Sequence, residues 1–137
     1  MKTTHQPTRG ERNNNPLNIR WSVNTHWTGQ IYHDPQGFCT FKSVEYGIRA
    51  AFAILRTYKY KHHLTTIEEI IGRWALPTEN NTEKYIDDVA YMMRVDRTTE
   101  IDYRGATGRE LIRCMAIIES KMQLPPEKIK YAQSMIL

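Results

Sequence analysis

Only two cysteines, Cys39 and Cys114, occur in the 137-residue chain, and neither stands in a CxxC or other metal-ligand spacing. With no secretion signal ahead of them, two free, buried thiols are expected rather than a disulfide. Long apolar runs are missing too. No stretch is long or apolar enough to span a membrane, and Met1 to Gly10 (MKTTHQPTRG) lack the hydrophobic segment of a signal peptide. Synthesis in the cytoplasm is therefore expected. Blocks of one charge are absent as well. Lys and Arg number 19 against 15 Asp and Glu, a net +4, and the basic residues are spread along the chain. That mild excess suits an anionic partner, but without a basic stripe or a reading helix it speaks against nucleic acid. The chain also has no Gly-rich phosphate loop, no nucleophile elbow and no Cys/His cluster, so no metal and no organic cofactor is implied.

What is present is an ordinary globular composition, 40% hydrophobic and 25% charged, which fits one modest core. Residues 1–10 read as a flexible leader and 11–137 as a single domain. The Asn-rich segment Asn13-Asn14-Asn15-Pro16 predicts turns rather than helix, because short amides bond locally to the backbone and proline restricts the residue before it. Two β-prone runs around Asp34-Pro35-Gln36-Gly37 predict a hairpin at about Gln30–Phe41. Four to five helices follow. Ser43 is placed to cap one with Ile48, Ala51, Phe52, Leu55 and Tyr58 on a single face. Thr66 with Glu69, Asn80 with Glu83, and Thr107 with Glu110 have capping-box spacing. Pro77 ends the second helix, and Ile129–Ile136 predict a short last one. The fold class is α+β with helix dominant.

Candidate chemistry begins with carboxyl groups, since an acid that stays protonated near neutral pH can donate to a leaving oxygen. Glu11 precedes the Asn-rich turn. Burial raises a Glu pKa and cations lower it, so Arg9 and Arg12 count against it unless turned away. Glu79 sits just ahead of a helix, where it serves either a site or the helix entry. Glu45 reads as a dipole partner in a first helical turn. Trp21 and Trp27, in loop sequence, are candidates for stacking on a ligand ring, whereas Trp74 and Tyr58 have core-like helical spacing. His62-His63 point apart on a helix and read as a solvated helix end.

The run Arg9 to Arg20 (RGERNNNPLNIR) resembles the opening of a family of small phage and prophage proteins, described as virion structural proteins or lysozyme-like peptidoglycan hydrolases. The likeness continues through Trp27-Thr28-Gly29, Phe38 to Phe41, Tyr46 to Ala50, Trp74 to Pro77, and Glu79 to Ile86, about two-thirds of the chain. The segment Asn14 to Arg20 and then Phe38 to Leu55 also resembles, more loosely, the glucosaminidase branch of the lysozyme superfamily. In that branch the catalytic Glu ends a helix well before the loop. Here almost nothing precedes Glu11, so the acid is Glu11 itself or comes from elsewhere. The phage-type pattern favours the acid at Glu79. The resemblance implies a lysozyme-like domain that cleaves peptidoglycan glycan strands as a muramidase, glucosaminidase or lytic transglycosylase. Glu79 or Glu11 would then be the general acid, and Asn14, Asn15, Asn18, Arg49, Thr82, Tyr85 and Trp27 would position substrate or hold the acid. A holin, a virion or another route would carry it to the wall. The alternative is a non-catalytic virion structural or cell-wall-binding protein.

Overall fold

The computed structural model describes residues 6–77 and 80–137. Among these residues, six helices and one antiparallel hairpin make an α+β fold, with about half of the chain helical. The first helix, α1 (Arg9–Arg12), starts inside the stretch read as a leader. Thr8 caps it, its side chain accepting from the Glu11 N–H at 3.3 Å while the Glu11 carboxylate accepts from the Thr8 N–H at 2.8 Å. Gly10 is buried against Ser120, where a Cβ would have no room.

The Asn-rich segment then turns the chain twice, with Asn14 and Asn18 both in the left-handed region at φ 51°. Asn tolerates that region better than other non-glycine residues because its short amide bonds locally. Strands β1 (Gln30–His33) and β2 (Cys39–Phe41) pair as expected, with Tyr32 opposite Thr40, His33 opposite Cys39, and a register shift at Ile31. The turn between them is closed by Asp34, whose carboxylate accepts from the N–H groups of Gln36 and Phe38, both at 2.9 Å.

Helix α2 (Val44–His62) is the central element, packed against β2, α5 and α6. Ile48, Ala51, Phe52 and Leu55 are fully or almost fully buried, and small residues at Gly47, Ala50 and Ala53 let neighbours approach closely. Ser43 holds the N-cap position but makes no side-chain capping bond. Helix α3 (Ile67–Trp74) opens on the expected Thr66–Glu69 capping box and stops before Pro77. The next two caps differ from expectation. Helix α4 (Thr82–Met93) is capped by Asn81, which accepts from the Lys84 N–H at 3.1 Å, one residue beyond the Asn80 pattern. In α5 (Ala106–Ser120) the N-cap is Gly105; the Thr107 hydroxyl accepts from the Asp102 N–H and Glu110 pairs with Arg113, so both are committed elsewhere. Helix α6 (Pro126–Ser134) closes the core through Ile129 and Ala132.

Cys39 and Cys114 are free and fully buried. Among the described residues no helix is long and apolar enough to cross a membrane, and no cluster of His, Cys, Asp and Glu could hold a metal ion.

Candidate active site

A cleft of about 750 Å³ opens between the Asn-rich loop with its hairpin and the helical body. One wall carries Asn18, Arg20, Trp27 and Phe38; the other carries Ile54, Tyr58, Trp74 and Asn80; Arg9 and Gln36 stand at the loop side. Glu119, one residue before the end of α5, reaches into this space, and among the described residues it is the one carboxylate lining it.

Glu119 was not singled out in the sequence, and its setting is that of a perturbed acid. Tyr85 in the first turn of α4 donates to Oε2 at 3.0 Å. The Asn18 amide donates to Oε1 at 3.3 Å and to the Glu119 backbone carbonyl at 2.9 Å, 101 residues away in sequence. Burial pushes the carboxyl above the usual carboxylate range. The hydrogen bonds of Asn18 and Tyr85 and the positive charges of Arg9 and Arg20 pull it partly back. Tyr85 is itself only 8% exposed. Burial, and then the adjacent Glu119 charge, raise its pKa well above normal, so it stays a donor.

The helix end is anchored to the loop by further bonds. Ser120 donates its hydroxyl to the Pro16 carbonyl at 2.7 Å, and its own carbonyl accepts from the Thr8 hydroxyl at 2.8 Å. Two segments about a hundred residues apart in sequence are thereby locked together around one carboxyl group.

The residues proposed from sequence fall into three groups. Asn18 and Trp27 line the cleft, and Tyr85 is buried behind it, bonded to Glu119. Asn14, Asn15, Arg49 and Thr82 do not line it. Asn15 is fully buried and serves the fold: its amide donates to the carbonyls of Ile19 and Cys39 and accepts from the Ile19 N–H, at 2.9–3.0 Å. Asn14 donates to the Phe41 carbonyl at 3.0 Å, and the Thr82 hydroxyl ties α4 to the Ala75 carbonyl at 2.5 Å. Glu11 spends a carboxylate oxygen on the α1 cap and is not among the cleft-lining residues. Glu79 lies outside the described residues.

The aromatic assignments also shift. Trp74 and Tyr58, whose spacing suggested core, are half-buried and face the cleft in edge contact, ring centroids 6.1 Å apart. Trp21 instead stacks on His33 at 4.2 Å, outside the lining. A helix-terminal Glu followed by Ser, after the apolar run Met115 to Ile118, was the signal available for Glu119. Its partners on the loop lie too far away in sequence for spacing to reveal them.

No protein-family model matches the chain. The chain is similar to Protein P5 of Pseudoalteromonas phage PM2, 43% identical over 102 residues. The match covers 72% of this chain and 63% of that protein, so the chain spans somewhat under two-thirds of its relative's length. That likeness supports a phage-type protein.

Proposed function

We propose that the protein cleaves the glycan strands of bacterial peptidoglycan, with Glu119 as the general acid. One observation carries the reading: a part-buried carboxyl, held by Asn18 and Tyr85 and raised in pKa by burial, faces an open cleft lined by aromatic rings and amides. Such a carboxyl keeps its proton toward neutral pH and can deliver it to a glycosidic oxygen. Trp27, Trp74 and Tyr58 offer ring faces for sugars.

The looser resemblance to the glucosaminidase branch supports the same reading through its parts: a helix-ending acid, an Asn-rich loop and a hairpin. There the acid ends a helix that comes well before an Asn-rich loop and a hairpin in sequence. Here Glu119 ends α5 beside Asn18 and the hairpin, although this helix follows the loop in sequence instead of preceding it. A lysozyme-like arrangement with its parts in a different chain order is the fold proposal. To act on the wall, the protein would pass from the cytoplasm through a holin, inside a virion or by another route.

The test is a zymogram on purified peptidoglycan with wild type, Glu119→Gln, Glu79→Gln and Glu11→Gln. Gln keeps the shape but carries no acidic proton. Clearing by the wild type, and a loss of about a hundred- to ten-thousandfold in Glu119→Gln alone, is the expected result. The same loss in Glu79→Gln, with Glu119→Gln active, would move the acid to Glu79. A blank wild-type lane would leave the non-catalytic virion or wall-binding role.

A further inference from the structure

Arg9 reaches the proposed proton donor through another side chain. The Asn18 amide stands between them: Oδ1 accepts from Arg9 Nε at 3.3 Å, while Nδ2 donates to Glu119 Oε1 at 3.3 Å and to the Glu119 backbone carbonyl at 2.9 Å. The Asn18 main chain is set by its own turn, at φ 51° with its N–H bonded to the Asn15 carbonyl at 3.1 Å. What is left to fix is the rotation of the amide. With its two ends exchanged, the NH2 group would face the guanidinium N–H, and Oδ1 would face the carbonyl and the carboxylate of Glu119. Donor would meet donor and acceptor would meet acceptor. Arg9 on one side and Glu119 on the other therefore select the same orientation.

Arg9 is itself held by its surroundings. Its guanidinium lies over the Phe38 ring, Cζ 3.6 Å from the centroid, and Nη1 donates to Gln36 Oε1 at 3.4 Å. Gln36 and Phe38 both donate their N–H groups to the Asp34 carboxylate, so one hairpin turn places both contacts. The Arg9 backbone, in α1, runs between Thr8, whose hydroxyl donates to the Ser120 carbonyl, and Gly10, buried against Ser120. Helix α1 and the hairpin thus deliver one guanidinium to the amide that grips the residue before Ser120.

We propose that Arg9 is a positioning residue: it fixes the Asn18 amide with its donor end toward Glu119, and through that amide sets how the carboxyl is held in the cleft. Its part in catalysis rests on the reading of Glu119 as the general acid. A guanidinium suits the task, because it offers N–H donors and no acceptor and so orients the amide one way only. Arg9 also acts directly. Its charge draws Glu119 toward ionisation, as do the charge of Arg20 and the bonds of Asn18 and Tyr85, all against burial.

A double-mutant cycle separates the direct field from the relay. The Glu119 titration, followed by carbon NMR of the labelled side chain, is compared in wild type, Arg9→Met, Asn18→Gly and the double variant. Met keeps an unbranched stem against Phe38 without charge or N–H donor; Gly accepts the left-handed backbone at position 18 and removes the amide. Arg9→Met should raise the midpoint by about one pH unit with Asn18 in place, and by less than about half as much in the Asn18→Gly background, where only the field is lost. Equal shifts in both backgrounds would mean that Arg9 acts by its field alone, and would overturn the proposal. A second measurement needs Arg9→Met alone: the Asn18 side-chain amide resonances should move and exchange faster with water once the acceptor end is released. Resonances unchanged in position and exchange would overturn it as well. In cleavage, Arg9→Met should lower the rate by about tenfold or more at pH values where Glu119 is fully protonated and loss of the field has no effect on its proton. A full rate there would end the positioning role. The two NMR measurements need no turnover. A relay found in a protein that leaves the zymogram blank would remove the cleavage reading and keep the clamp; cleavage by the wild type with no relay would remove the clamp and keep that reading.

Discussion

The Tyr85 hydroxyl donates to Glu119 Oε2 at 3.0 Å, joining the first turn of α4 to the last turn of α5. A hydrogen bond to the ionised carboxylate favours ionisation, so this contact holds the Glu119 pKa below what burial alone would impose. Tyr85→Phe removes the bond and keeps the ring. The Glu119 carboxyl should then titrate at higher pH, read by carbon NMR of the labelled side chain, and the alkaline limb of the proposed glycan cleavage should move the same way. A limb that stays in place would reduce Tyr85 to packing.

Glu119 also sets a pH dependence of stability. Its folded pKa lies above the unfolded value, so between the two the native state holds a proton that the unfolded chain has released. Stability is therefore greatest below the unfolded value and falls as pH rises through the folded one. Glu119→Gln cannot ionise. It should melt higher than wild type at neutral pH, and the gap should close below about pH 4, where unfolded carboxylates are protonated as well. Thermal melts across pH check this, and a variant that melts lower at neutral pH would contradict it.

Asn15→Ala should leave the Ile19 N–H and the Ile19 and Cys39 carbonyls short of a partner inside the core. The expected loss is about 2–4 kcal/mol in urea unfolding, from buried polar groups left unsatisfied. A loss under about 0.5 kcal/mol would mean that the loop holds its shape by other bonds.

Two glycines in helices should respond in opposite directions. At Gly47 an added Cβ would fall 2.1 Å from the Asn14 carbonyl oxygen and 2.9 Å from Pro16 Cδ, both on a rigid turn. Gly47→Ala should destabilise by about 1–3 kcal/mol or more, as overpacking does. At Gly72 nothing lies within 4 Å, and Gly72→Ala should stabilise by roughly 0.5–1 kcal/mol through helix propensity. Denaturation midpoints measure both.

Titration of the unreduced protein with a thiol reagent should find both cysteines once the chain is unfolded and almost none before. Burial pushes the Cys39 thiol up to about 11 and raises Cys114 as well, so neither is a thiolate at neutral pH. Fast labelling of the native protein would show the core opening locally.

Local chemistry was legible from the sequence: the hairpin, the Thr66–Glu69 capping box and the buried stripe of α2 all rest on residues within one or two turns of each other. Asn80 and Thr107 misled because other residues offered the helix start a better geometry. Asn81 already bonds the Lys84 N–H, and Thr107 is drawn to Asp102. The cleft was legible only in part. Asn18, Tyr85 and Trp27 could be proposed from the resemblance, but the acid that they surround comes from residue 119, and no spacing rule links it to residue 18. Asn15 shows the opposite error, a polar residue in a suggestive motif that spends every bond on the backbone.

The bonds from Asn18 to Glu119 and from Ser120 to Pro16 have a consequence for the order of synthesis. The loop leaves the ribosome first and waits, with its Asn18 amide and the Pro16 carbonyl unmatched, until α5 has been made more than a hundred residues later. Loop closure over that distance comes late in folding. A growing chain therefore has no assembled cleft at any point before residue 120, and an incomplete translation product would be inert toward the glycan that the finished protein is proposed to cut.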